Sequence, residues 1–190
     1  MAIVLASQSP RRQELLARIG VEDFKTLSLD IDESYPEGLS PEDTVRYIAK
    51  KKCDAAAALC SPDDLIITAD TMVFLGNDRL GKPRDEEDAL RMLRALAGRG
   101  HTVCTGVSVR RGETSELFAV STRVFFRPMT DDEIRAYIKT GEPMDKAGAY
   151  GVQSRGALFV ERIDGDFFNV MGLPVEQLGL VLARFGVKLL

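Results

Sequence analysis

The segment Ser7-Gln8-Ser9-Pro10-Arg11-Arg12 places hydroxyls and two guanidinium groups where the apolar run Ile3-Val4-Leu5-Ala6 gives way to helical spacing at Leu15, Leu16 and Ile19. This register makes Ser9 the N-cap and Pro10 the first helical residue. Arg11 and Arg12 then fall in the first turn, beside unpaired backbone N–H groups and the positive end of the helix dipole. A cation there is disfavoured by a few tenths to about 1 kcal/mol. An arriving anion reverses that sign, and the group as a whole suits a phosphate. An ordinary capped helix with two solvated arginines is the alternative, and the segment alone leaves both open.

Asp70 is the strongest catalytic candidate, because it follows the all-apolar run Leu65-Ile66-Ile67-Thr68-Ala69 at the strand end where open α/β sheets place ligands. A turn or N-cap aspartate is its plainer reading. Asp32 and Glu33 also follow a strand signal and offer oxygen ligands that, with Asp70, suit a hard divalent cation. Lys52 projects from the edge of the stripe Val45, Ile48, Ala49, Cys53, Ala56 and Cys60, unlike its neighbours Lys50 and Lys51. Lys82 follows the tight-turn signal Gly76-Asn77-Asp78, and a turn centred on Asn77 and Asp78 sets it across from Val73, close to Thr71. Either lysine alone is as well read as snorkelling to water. His101 is the single histidine, and no mechanism is built on it. With no activated serine or cysteine in view, direct attack by water is the simpler chemistry. The stretch Asp145-Lys146-Ala147-Gly148-Ala149-Tyr150-Gly151-Val152-Gln153 lets backbone approach a ligand closely, and Gln153 offers a donor and an acceptor to the edge of a base. A glycine-bearing loop packed on a sheet is the other reading.

The elements that must hold these groups alternate between strand and helix through the first hundred residues, the pattern of an α/β protein. Strands are expected at 24–29 and 65–69, and a long helix opens at Ser40-Pro41-Glu42-Asp43. The next helix starts at Asp85-Glu86-Glu87-Asp88 and stops at Gly98. Two longer strands, 101–109 and 116–126, flank an Arg110-Arg111-Gly112 turn, and Thr130-Asp131-Asp132-Glu133 is a capping box. Strand signals return at 157–163, with Asp164-Gly165-Asp166 read as a hairpin turn into a strand at 167–170, and a helix spans 174–185.

The 190 residues, 45% of them hydrophobic, suffice for one substantial core, and positions 1–190 read as a single domain with room for two lobes. No apolar stretch is long enough to span a membrane and no signal-like segment opens the chain, so a cytoplasmic location is expected. Cys53, Cys60 and Cys104 form no CxxC pair and read as reduced thiols. The net charge of −4 argues against a general nucleic-acid binder, so an anionic ligand needs a local cluster of positive charge.

Laid out in order, Leu5-Ala6-Ser7-Gln8-Ser9-Pro10-Arg11-Arg12, Asp32-Glu33, Ala69-Asp70-Thr71, Gly81-Lys82-Pro83, Asp145 to Gly151 with Gln153, and Gly165-Asp166 through Asn169-Val170 to Gly172-Leu173-Pro174 resemble the Maf family of nucleoside triphosphate pyrophosphatases nearly end to end. The resemblance implies a mixed, twisted α/β sheet with flanking helices and two lobes around a central cleft, related to the inosine triphosphate pyrophosphatases. It implies cleavage between the α- and β-phosphates, with Ser7, Ser9, Arg11, Arg12, Lys52 and Lys82 on the phosphates. Glu33 and Asp70 would hold Mg²⁺ or Mn²⁺, and Asp70 would also accept the proton of the attacking water. The combination of Arg12, Thr71 and Gln153 looks like the branch acting on dTTP and UTP, and a homodimer is what the family suggests. Two residues depart from the family pattern: Cys53 stands where alanine is common, and Ser154 where glycine is usual. A competing expectation is a non-enzymatic regulator of cell division that binds nucleotide or nucleic acid. The acidic balance opposes its nucleic-acid form.

Overall fold

The computed structural model describes residues 1–190 and has a mixed α/β fold. Its strands are β1 (Ile3–Leu5), β2 (Phe24–Thr26), β3 (Leu65–Leu75), β4 (Asp78–Leu80), β5 (Gly100–Arg111), β6 (Thr114–Phe126) and β7 (Val160–Asp164). The helices are α1 (Pro10–Arg18), α2 (Pro41–Ala57), α3 (Glu86–Leu96), α4 (Asp131–Ile138), α5 (Phe167–Met171) and α6 (Val175–Arg184). The seven-stranded sheet has the order β2-β1-β3-β5-β6-β7, with β4 paired to β3. No helix is long and apolar enough to cross a membrane. The chain divides into two compact units, one of residues 1–70, 105–120 and 172–190, the other of 71–104 and 121–171.

In the first unit β1 runs parallel to both β2 and β3, with Leu5 opposite Thr26 and Ile67. Helix α2 starts as expected: the Ser40 hydroxyl accepts from the Asp43 N–H, with Pro41 in the first turn. Its small-residue face, Cys53 and Ala56, packs on Ala6 of the β1 end and Ile66 of β3. The Thr68 hydroxyl donates to the Ala49 carbonyl at 2.7 Å, which fixes the turn of α2 that carries Lys52. A Cβ on Gly106 would lie 2.3 Å from the Val45 carbonyl oxygen, so β5 meets the backbone of α2 directly at a place only glycine permits. Burial pushes the Cys53 thiol up, as suits a packed, unreactive sulfur.

The second unit begins in mid-strand, where β3 turns back into β4. The register pairs Val73 with Leu80 and Leu75 with Asp78, so the turn is Gly76-Asn77 and not Asn77-Asp78. Gly76 takes a φ of 60°, the conformation that the first central position of a II′ hairpin turn needs. Lys82 therefore lies beyond the end of β4 and is not across from Val73. The strand expected at 24–29 ends at Thr26, and the one expected from 157 starts at Val160, after a 3-10 turn over Arg155–Phe159. The largest difference is α5, which replaces the strand expected at 167–170. The Asp166 carboxylate accepts from the Phe168 N–H at 2.7 Å, and the buried Asn169 amide donates to the Val103 carbonyl and the Thr122 hydroxyl. These tertiary bonds override the strand propensity of Phe-Phe-Asn-Val.

An aromatic cluster of His101, Phe126, Tyr150, Phe159 and Tyr137 packs in this unit's interior by edge-to-face contacts, with the Phe126–Phe159 pair tilted. His101 Nε2 lies 2.8 Å from the Tyr150 hydroxyl, while Nδ1 meets no hydrogen-bond partner. Burial lowers the His101 pKa from its usual value to about 4. The folded state thus holds the neutral ring where the unfolded chain binds a proton, so stability is full above about pH 6.5 and falls as pH drops toward 4. Urea unfolding of the wild type should lose about 3 kcal/mol through this group across that window. In His101→Phe this part of the slope should be absent, and an unaltered slope would refute the assignment.

Candidate active site

In the first unit the chain passes from β1 through α1 to β2 on one side, and through α2 to β3 on the other. The carboxyl ends of β1 and β3 therefore flank a topological switch point, the place where open α/β sheets bind ligands. Ser7 to Arg12 follows β1 there, and Asp70 stands three residues past Ile67, the last β3 residue paired to β1. Asp70 is not at the end of its strand, as the sequence suggested, because β3 continues to Leu75. What ends at Ile67 is the parallel pairing.

Lys52 settles the reading of the α2 stripe edge. Its Nζ lies 2.8 Å from Asp70 Oδ1 and 3.0 Å from Glu33 Oε1. The side chains of Lys52 and Asp70 are only 14% and 10% exposed, whereas Glu33 is 55% exposed. The neighbouring lysines turn elsewhere: Lys50 pairs with Asp54, and Lys51 lies 3.2 Å from Asp32. Asp32 does not join the other two acids. Hydrogen bonds from the hydroxyl and N–H of Ser34, then from Lys51, hold its carboxyl down at about 2.

Arg12 uses its fork inside the protein. Nε donates to the Gly172 carbonyl at 2.7 Å, and Nη1 donates to the Ala69 carbonyl at 2.9 Å and the Ser7 hydroxyl at 3.3 Å. Burial lowers the Arg12 guanidinium from the usual arginine range, Asp70 opposes that shift, Arg11 adds to it, and Glu33 opposes it again. Arg12 thus ties the residue before Asp70 to the loop after β1 and to the segment before α6. Ser9 occupies the N-cap position of α1 but its side chain makes no capping bond, and no acid stands in the first turn. Its N–H instead donates to the Ser7 hydroxyl at 3.2 Å. The other capped helices behave as the dipole prefers: α3 has Asp85 as its cap with Glu86, Glu87 and Asp88 following.

Ser7, Ser9, Arg11, Arg12, Glu33, Lys52 and Asp70 all belong to the first unit, whereas Thr71, Lys82 and Gln153 belong to the second. Thr71 is half-buried; Lys82 and Gln153 are exposed. The Gly81 carbonyl before Lys82 accepts from the Gly148 N–H at 3.0 Å, so the Gly81-Lys82-Pro83 and Lys146–Tyr150 stretches are locked together. One group escaped the sequence reading: Glu142 accepts from Tyr137, Ser154 and two backbone N–H groups near Gln153. Its only sequence mark is an acid between Gly141 and Pro143, and its partners lie up to fourteen residues downstream.

The acids at Lys52 also allow a test of fit for a divalent cation. Glu33 and Asp70 turn hard oxygen donors toward one cationic point, and a small divalent ion characteristically takes one or two carboxylates together with phosphate oxygens. No third acid, histidine or cysteine completes an all-protein cage. The donor set fits Mg²⁺ or Mn²⁺ shared with a phosphate ligand.

Arg12→Lys keeps the charge but cannot serve the Gly172 and Ala69 carbonyls from one fork, so it should destabilise the fold by about 1–3 kcal/mol. Urea midpoints at constant slope measure this, and an unchanged midpoint would show that Arg12 is no clamp.

The family model for Maf-like proteins matches residues 2–185. A Bacillus velezensis protein named dTTP/UTP pyrophosphatase is 46% identical over 186 residues, covering 98% of this chain and 97% of that one. A Geobacillus protein of the same name is 47% identical over 184 residues, covering 97% and 98%. A solved HAM1 protein from Coxiella burnetii aligns over 97% of this chain and 99% of its own at 13% identity, with a TM-score of 0.49. With the family model spanning nearly the whole chain and relatives this similar along their full length, the protein belongs to the Maf family.

Proposed function

We propose that the protein hydrolyses dTTP and UTP to the nucleoside monophosphate and pyrophosphate, by metal-assisted attack of water on the α-phosphate. The observation that carries this reading is the Lys52 ammonium held between Asp70 and Glu33 at the β1–β3 switch point. The substrate follows the name, dTTP/UTP pyrophosphatase, that both relatives carry.

Each residue has a task in this reading. Ser7, Ser9 and the N–H groups of the first turn of α1 receive phosphate oxygens, and Arg11 offsets their charge. Arg12 ties Ser7, Ala69 and Gly172 together and adds positive charge to the site. Lys52, released from Asp70 and Glu33 when phosphate arrives, carries its charge to the leaving pyrophosphate, as Lys82 does. Asp70 accepts a proton from the water whose oxygen bonds to the α-phosphorus, while the bond from that phosphorus to the bridging oxygen breaks. Mg²⁺ or Mn²⁺ on Glu33 and Asp70 would supply Lewis-acid stabilisation of the phosphate charge. Gln153 and Thr71 select the base, the Gln153 amide matching the carbonyl and N–H edge shared by thymine and uracil. The reading includes a cytoplasmic location, to which three cysteines outside any disulfide are suited, and the homodimer that the family resemblance implies.

Incubation of dTTP with the protein and Mg²⁺ should give dTMP and pyrophosphate, while chelation of the metal should stop turnover. Asp70→Asn should lose about 10²–10⁴-fold in kcat, the range typical of a missing general base, while remaining folded. Release of dTDP and orthophosphate would overturn the assigned bond. Equal stabilisation of wild type and Asp70→Asn by dTTP, with turnover in neither, would favour a nucleotide-binding regulator instead.

A further inference from the structure

Glu142 sits in the 3-10 turn Glu142–Asp145, just after Gly141, whose φ of 76° turns the chain out of α4. Four donors converge on its carboxylate. Oε1 accepts from the Tyr137 hydroxyl at 2.8 Å, the Ser154 hydroxyl at 2.6 Å and the Gly156 N–H at 3.2 Å, while Oε2 accepts from the Arg155 N–H at 3.3 Å. Tyr137 in turn accepts from the Gly151 N–H at 3.1 Å. The loop from Gly151 to Gly156 is therefore bonded on both sides of Gln153, whose own side chain stays exposed.

Steric closeness reinforces these bonds. A Cβ on Gly156 would lie 2.6 Å from the Gly151 carbonyl oxygen, and a Cβ on Gly151 would lie 2.7 Å from Lys146 Cε and 2.8 Å from Ser154 Oγ. The loop closes on itself with no space for a methyl group. A carboxylate is the natural hub because, ionised, it only accepts, and all four partners donate. Although burial pushes the Glu142 carboxyl up, the bonds from Ser154, Tyr137, Gly156 and Arg155 outweigh it and leave the group below the usual range.

We propose that Glu142, acting through Tyr137 and Ser154, is a positioning residue that presets the Gly151–Gly156 loop and so sets the base selectivity exerted by Gln153. The proposal rests on the pyrophosphatase reading for its substrate. An exposed amide discriminates between bases only when its backbone is held, since ordering a loose loop on binding consumes the gain from the new hydrogen bonds. Ser154 adds one of the four bonds from within the loop itself.

Steady-state kinetics with UTP, dTTP and CTP, run on wild type, Glu142→Gln, Ser154→Ala and Ser154→Thr, test this. Glu142→Gln should raise KM for UTP and dTTP about tenfold, leave kcat within about threefold, and reduce the preference for UTP over CTP by about the same factor as KM rises. Ser154→Ala should move the same way by about threefold, and Ser154→Thr, which keeps the hydroxyl, should stay near wild type. Amide exchange without nucleotide should quicken at Arg155 and Gly156 in Glu142→Gln and Ser154→Ala. A fall in kcat with selectivity intact, or unchanged exchange in both variants, would overturn the proposal. Wild type that turns over neither dTTP nor UTP would instead overturn the pyrophosphatase reading, and exchange would still decide whether Glu142 holds the loop. Should Glu142→Gln fail to fold, Ser154→Ala carries the test, since it removes one exposed hydroxyl and nothing from the interior.

Discussion

A nearly buried carboxylate, Asp70, held by a nearly buried ammonium, Lys52, is the constraint around which the first unit is arranged. Removing two charges from water costs several kcal/mol per ion, and their mutual attraction offsets this only with good geometry and further partners. Those partners are supplied from three directions: Glu33 shares the ammonium, Arg12 bonds the Ala69 carbonyl next to Asp70, and the Thr68–Ala49 bond keeps α2 in register with β3. A pair of this kind adds little to stability compared with apolar residues of the same volume. Its retention at a switch point is more readily explained by a ligand that would relieve it, as the proposed triphosphate would for the ammonium and a divalent cation for the acids.

The same logic accounts for the unusual start of α1. Arg11 and Arg12 stand where α3 has three acids, and the Ser9 side chain leaves the cap position unused. In isolation this is a loss at the helix terminus. Arg12 recovers part of it by bonding the Ala69 and Gly172 carbonyls, so its second task is structural. Substitutions of Arg12 therefore disturb folding as well as the phosphate binding proposed for it.

Sequence reasoning reached the local groups and missed the long-range ones, for identifiable reasons. Ser40 and Thr130 are legible caps because capping is decided within four residues, and both cap as read. By its spacing Lys52 is legible only as a lysine at a stripe edge, and the family resemblance adds a phosphate role; that Glu33 and Asp70 meet its ammonium depends on the 2-1-3 strand order, which no local pattern encodes. The short α5 was misread because Phe-Phe-Asn-Val fits strand propensity, and the bonds that make it helical reach back to Thr122 and Val103. The register of β3 on β4 slipped because Gly76, not Asp78, takes the left-handed position. Glu142 left no sign, since a hub for backbone donors is visible only once the loop has folded over it.

The segment before that loop shows what such precision costs. Ala149 is fully buried with a φ of 61°, the one non-glycine residue in the left-handed region, and this conformation costs an alanine about 1–2 kcal/mol. Gly148, with a φ of 68°, leaves no space for a side chain, since a Cβ there would lie 2.8 Å from Val73 Cγ2. Two successive left-handed residues persist because both N–H groups are bonded, that of Gly148 to Gly81 and that of Ala149 to Lys146. Backbone strain of this kind survives where the surroundings over-determine it, and such places concentrate at sites of function. Here the strained turn lies between the stretch that carries Lys82 and the loop that carries Gln153. Relaxing it would break the Gly148–Gly81 bond that locks these two stretches together.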